Sequence, residues 1–166
     1  MTSDTEELTA WHEAGHAWMA LHLGATVQSV SIDPDHDDGP RRFGDTTILW
    51  PRSRFSDTEL ARGLAWVALA GPVAEMIRLE ELQHPRNCPE WAQDWQEGMQ
   101  AVSRLVPATA GERVLEALTA EIFELFSEEH HREALAVLAD HLLAHEILDE
   151  ELLLESLEPW LPPQDY

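Results

Sequence analysis

His12 and His16 stand four residues apart, with Glu13 between them, in the stretch "LTAWHEAGHAWMALHLG" from Leu8 to Gly24. On a helix, residues four apart differ by about 40° in direction and about 6 Å in height, so both imidazoles can converge on one metal ion. Glu13 lies about 100° round from His12, badly placed to bind the same ion but able to reach a water molecule on it. Zinc suits such a donor set. It brings the pKa of a bound water near neutrality and polarises a carbonyl, while a neighbouring carboxylate takes the proton. The implied chemistry is hydrolysis, with His12 and His16 as metal ligands and Glu13 as general base.

Local context sharpens this reading. A pattern HExxH arises by chance in roughly one chain of this composition in twenty, so it needs support from its neighbours. Gly15 costs about 1 kcal/mol in a helix interior relative to Ala, which implies that something packs closely beside His16. Leu8, Trp11, Ala14, Trp18 and Met19 make the rest of the helix apolar, so the two His and the Glu should be buried and in need of partners. A carboxylate is a sensible third ligand, because it leaves a fourth position open for water. With 32 acidic residues in the chain, composition alone does not select which one.

The elements that must position these residues follow from caps and periodicity. Ser3 with Glu6 forms a capping box, so a first helix should run from about Asp4 to His22, ended by Gly24. "TVQSVSI" (Thr26 to Ile32) and "DTTILW" (Asp45 to Trp50) are expected strands, paired as a hairpin across the polar loop "DPDHDDGPRR". Ser56 with Glu59 opens a helix through "ELARGLAWVALA", which Gly71-Pro72 should kink or break before "VAEMIRLEEL" continues. Asn87 and Pro89 prepare a third helix, from about Pro89 to Val106 and ended by Pro107. Gly111 to about His145 is one long helix or two, and Asp149 caps a short last helix, "EELLLESL". The fold class is mainly α with a small β-sheet near the N-terminus, as a single domain over residues 1–166.

The chain has a formal net charge of −22, and all ten of its basic residues are Arg. Such a surface disfavours nucleic acid and anionic membranes, and favours neutral or basic partners. The single cysteine, Cys88, excludes an internal disulfide framework. The N-terminal "MTSDTEEL" is the reverse of a secretory signal. "LAWVALAGPVAEMI" is too short and too interrupted to be expected to span a bilayer. A soluble cytoplasmic protein is the expectation.

"TAWHEAGHAWMALHLGATVQSVSI" resembles the zinc peptidase domain of FtsH-type AAA proteases, in which a HEAGH helix is followed by a strand. "LAWVALAGPVAEMI", with its Ala74-Glu75 pair, is similar to that family's helix of small residues. "NCPEWAQDWQEGMQAV" is similar to the segment carrying its third zinc ligand, and the aspartate that matches is Asp94. "EHHREALAVLADHLLAHEILDEELL" is similar to its C-terminal helical hairpin. The resemblance spans nearly the whole chain, with HEAGH its most specific part. It implies a zinc site of His12, His16 and Asp94, with Glu75 the next carboxylate and better suited to orienting an imidazole. It also implies that "DTTILW" lies beside the active site as a substrate-receiving edge strand.

The departures are that no ATPase module or membrane anchor is recognisable, that the stretch between Met99 and Gly111 is short, and that Gln93 stands where the family usually has Asn. The expected activity is a zinc-dependent metalloendopeptidase acting on flexible or unfolded polypeptide without an ATPase of its own. A homo-oligomer or a separate partner protein is compatible with this. The alternative is a non-catalytic zinc-containing adaptor of the same fold, against which the general base Glu13 speaks.

The remaining histidines carry weaker patterns. His141 and His145 have helical spacing but no intervening Glu, and are expected to be a solvated pair. His130 and His131 adjoin Glu128 and Glu129 and are expected on an exposed charged face. His22 falls off the face of His12 and His16, and His36 and His84 lie in polar loops. Cys88, six residues before Asp94, is expected to be a plain loop thiol rather than an inhibitory ligand. Trp11, Trp18, Trp91 and Trp95 flank the candidate ligands and should pack the walls of the site.

Overall fold

A computed structural model describes residues 4–33 and 45–162. Helix α1, Asp4–His22, carries Asp4, Glu6 and Glu7 in its first turn, where carboxylates complement the helix dipole. Ser3 and His36 lie outside the described residues. The helix ends as expected. Gly24 adopts φ +93°, with its N–H on the Leu21 carbonyl and the Ala25 N–H on the Ala20 carbonyl, the double bond of a Schellman turn. The chain then enters β1, Thr26–Ser31.

β1 pairs antiparallel with β2, Asp45–Leu49, through a register that shifts between Val27 and Ser29. A third strand, β3, was not apparent from the sequence. Ile147–Asp149 pairs antiparallel with the other side of β1, giving the order β2-β1-β3. Three residues between two helices are too few for an alternating pattern to register.

The expected interruption at Gly71-Pro72 is absent. Helix α2 runs unbroken over Asp57–Leu79, opened by Ser56, whose hydroxyl oxygen accepts the Glu59 N–H at 3.2 Å. A mid-helix proline costs about 3 kcal/mol in an exposed helix. Here every residue from 67 to 77 is buried, and α2 is packed on α1, on α3 (Ala92–Val102) and on α4 (Gly111–Phe126). Burial on all faces outweighs the one missing backbone bond. α2 is also long and apolar enough to cross a membrane, but 78% of its most apolar stretch is covered by the protein itself.

The third helix is shorter than expected. A 3-10 turn, Pro89–Trp91, precedes α3, and no side chain caps that turn, so Asn87 does not act as its cap. After Val102 the backbone tightens, Leu105 N–H bonding the Val102 carbonyl at 2.9 Å. The helical conformation is disfavoured for a residue that precedes a proline, as Val106 does. Gly111 to His145 is two helices, α4 and α5 (Glu129–His145), and Asp149 caps α6 (Glu150–Leu157) by accepting the Leu152 N–H. Met19, Leu69, Met76, Leu115, Phe126, Leu138 and Leu148 are fully buried in one shared core.

One expectation about α5 is corrected. His130 is exposed, but His131 is buried because α5 packs on α1 and turns that position inward. Trp18 Nε1–H donates to His131 Nδ1 at 3.0 Å. An indole can only donate, so Nδ1 is unprotonated and the ring is neutral. Burial holds the His131 pKa below its ordinary value, and the nearby His22 and His130 push the same way against Glu128. The unfolded chain therefore takes up this proton first. The stability that His131 contributes is present above pH 6.5 and lost as the pH falls through the imidazole range. A glutamine at this position can accept the Trp18 bond without titrating. Relative to the wild type, His131→Gln should become progressively more stable between pH 7.5 and 5 in urea unfolding, and a pH-independent difference would refute the assignment.

Candidate metal centre

The centre begins with an unusually close helix pair. A Cβ on Gly15 of α1 would lie 2.7 Å from the Ala74 Cβ of α2 and closer still to the Ala70 carbonyl oxygen. Only glycine permits that approach, as its position beside His16 suggested. Across the gap, a Cβ on Gly71 would fall 2.9 Å from His12 Nε2 and nearer to His16 Nε2. Gly71 thus keeps the space into which both imidazoles turn, a role beyond the kink expected of it.

Each imidazole is fixed by its Nδ1. His16 Nδ1 lies 2.7 Å from the Val67 carbonyl, which can only accept, so Nδ1 carries the proton and a neutral His16 has its lone pair on Nε2. His12 Nδ1 lies 2.6 Å from Glu75 Oε2, and Trp91 Nε1–H donates to the same oxygen at 2.5 Å. Glu75 is fully buried, and these two donors stabilise its charged form. It therefore orients an imidazole, the role the resemblance implied for it. Trp91 does more than pack a wall, while Trp18 serves α5 instead of the site.

Asp94 arrives from the first turn of α3, placed there by the 3-10 turn that also seats Trp91. Its Oδ2 is 3.0 Å from His12 Nε2 and its Oδ1 3.3 Å from His16 Nε2. The structure thus brings His12, His16 and Asp94 together. Burial alone would raise the Asp94 pKa, but the two imidazoles outweigh it and hold the carboxyl far below its ordinary range. Burial likewise opposes charge on His16, yet the Asp94 charge and hydrogen bond raise its pKa above the usual value. With Nδ1 committed to donation, a neutral His16 turns an acceptor toward a carboxylate acceptor. That pairing requires a cation between them, either a proton or a metal ion.

The donors fit zinc. Two ligand atoms each about 2.0 to 2.1 Å from a tetrahedral ion stand about 3.3 Å apart, close to both His–Asp separations here. Glu13 is buried beside them, and its Oε2 accepts the Thr46 hydroxyl at 2.7 Å. All four residues line an open cleft of about 690 Å³. Thr46, Ile48 and Trp50 form one wall, Leu64, Val67 and Ala68 the next, and Gln93 and Glu97 extend from α3. Thr46 carried no sequence signal, because a threonine in a strand is ordinary.

The other candidates separate from this site. His84, Glu112 and Glu116 also cluster, but His84 Nδ1 accepts the Arg86 N–H at 3.1 Å, so Nε2 holds the ring proton and faces Glu116 at 3.2 Å. The Arg86 guanidinium already pairs with Glu112, so this group is an ion-pair network with no open ligand nitrogen. Cys88 donates its thiol to Glu90 at 3.0 Å. His141 and His145 stack with ring centroids 6.0 Å apart on the outer face of α5. His22 stands against His131, away from the centre. Compared with known proteins, the chain matches no family model and no curated protein.

The space above Gly71 yields a direct test. Gly71→Ala puts a methyl group where the two Nε2 atoms converge. It should lower zinc affinity by at least the ten- to hundredfold typical of losing a supporting residue. Competition with a chromophoric chelator would measure it, and unchanged affinity would mean that the imidazoles do not turn into this space to bind.

Proposed function

We propose that this chain is a zinc-dependent metalloendopeptidase, with His12, His16 and Asp94 as its ligands and Glu13 as its general base. One observation carries the reading. Two imidazole Nε2 atoms and a carboxylate converge on a single point with both Nδ1 atoms tied down, and a second, buried carboxylate stands beside them without joining the cluster. A purely structural ion has no use for that second carboxylate. The resemblance carried by HEAGH and by "EWAQDW" agrees.

When bound, zinc would polarise the scissile carbonyl and make a water molecule acidic. The chain's own residues do the rest. Glu13 takes a proton from the attacking water on one carboxylate oxygen and returns it to the departing amine nitrogen. Glu75 and the Val67 carbonyl fix both ring orientations, and Trp91 holds Glu75 in place. β2 lies at one edge of the sheet and lines the cleft, so an extended segment can add to it as a further strand. Strand addition requires a flexible or unfolded polypeptide. The walls formed by Ile48, Trp50, Leu64 and Val67 accommodate apolar side chains.

Elemental analysis should find one zinc per chain. Asp94→Ala should weaken binding at least ten- to hundredfold, and Glu75→Ala less. A folded protein that stays metal-free after incubation with zinc would end this reading. Glu13→Gln should retain zinc yet cut casein-type substrates about 10²- to 10⁴-fold more slowly. A zinc-loaded wild type that cleaves nothing in a diverse peptide library would favour the adaptor.

Acidity supplies a further check. Because the His16 pKa lies above 6.5, protons compete for its Nε2 before the ordinary imidazole range is reached. Zinc affinity should therefore fall as the pH drops through 7 toward 6 in chelator titrations. A flat profile across that interval would contradict His16 as a ligand.

A further inference from the structure

We infer that Thr46 is the positioning residue of the general base, so that one strand both receives the substrate and aims the group that activates the water. The inference rests on the peptidase reading and adds a determinant to it. Glu13 is rotated by about 100° from His12 on the helix, so the ion that binds the imidazoles does not hold the carboxylate. Something else must hold it. A glutamate has three freely rotating side-chain torsions, and misplacing a reacting group by 1 Å can cost about 10²-fold in rate.

Thr46 meets that need from a residue 33 positions away. Its hydroxyl donates to Glu13 Oε2 at 2.7 Å, a charge-assisted bond that takes one carboxylate oxygen and leaves the other for water. The hydroxyl is itself well fixed. Thr46 is β-branched and so stiff about its first torsion, and it pairs in register with Val30, a fully buried residue of β1. Along β2 the burial alternates, with Thr46 and Ile48 the less exposed positions, and these two and Trp50, just after the strand, line the cleft. A segment added along β2 would therefore be held in register by the strand that also orients Glu13.

Thr46→Val keeps the shape and removes the donor, while Thr46→Ser keeps the donor. In the zinc-loaded protein, Thr46→Val should lower kcat about 10- to 100-fold with KM and zinc content unchanged, and Thr46→Ser should restore most of the rate. An unchanged kcat, a parallel loss of zinc, or a serine variant as slow as the valine variant would each overturn the inference. A second arm needs no activity. In the metal-free protein, Thr46→Val should lower Tm in the wild-type background but not in a Glu13→Ala background. Equal shifts in both backgrounds would show that the two side chains are not coupled. A wild type that cleaves no peptide while this coupling holds would refute the peptidase reading and leave the Thr46–Glu13 contact standing.

Discussion

The backbone contact between α1 and α2 is the constraint on which the rest of the centre depends. Glycine at position 15 brings the two helices closer than any side chain would allow, and glycine at position 71 keeps the imidazoles from colliding with the opposing helix. That separation puts the Val67 carbonyl within reach of His16 and the Glu75 carboxylate within reach of His12. Wider spacing would leave both Nδ1 atoms without partners in a buried place, and the ring orientations would be lost. The burial that carries α2 straight through Pro72 also fixes Val67 relative to Glu75.

Three carboxylates, two buried and Asp94 half-buried, share this small volume, and each is stabilised differently. Glu75 is held by an indole and an imidazole, Asp94 by two imidazoles, and Glu13 by a hydroxyl. Buried acids without partners would be strongly unfavourable, so these contacts are conditions for folding as well as for chemistry. The partners also divide the labour. Glu75 is committed to orienting a ring, Asp94 faces the point where the Nε2 atoms meet, and Glu13 keeps an oxygen in reserve. In a protein with 32 acidic residues, function is assigned by what each carboxylate touches.

Much of the fold was legible because its signals are local. Ser56 and Asp149 cap the helices they were expected to cap, Gly24 ends α1, and "DTTILW", expected as a strand after a polar loop, forms β2. What escaped depends on packing at a distance. Pro72 looked like a break because its local cost is visible in sequence and the burial that overrides it is not. His131 looked exposed because charged neighbours surround it in sequence, whereas its partner Trp18 lies 113 positions away. His12, Glu13 and His16 were readable from one helical turn. Asp94 was reachable only through resemblance, since nothing in its spacing distinguishes it from other acids. Thr46 and Gly71 were unreadable, being ordinary residues made important by what faces them.

The sheet itself has an exposed margin. Among the described residues no strand covers the outer side of β2, and Leu49, which is 48% exposed, lies on it. Uncovered strand margins are templates for self-association, the route by which many β-proteins aggregate. A margin that receives peptide, as proposed for β2, cannot be blunted by a bulge or capped by a helix without losing that use. A further safeguard is colloidal: two copies of a chain carrying −22 repel each other as they approach. The acidity that disfavours nucleic acid and anionic membranes thus acquires a second meaning, opposing the close approach of copies of the protein while one strand margin stays open.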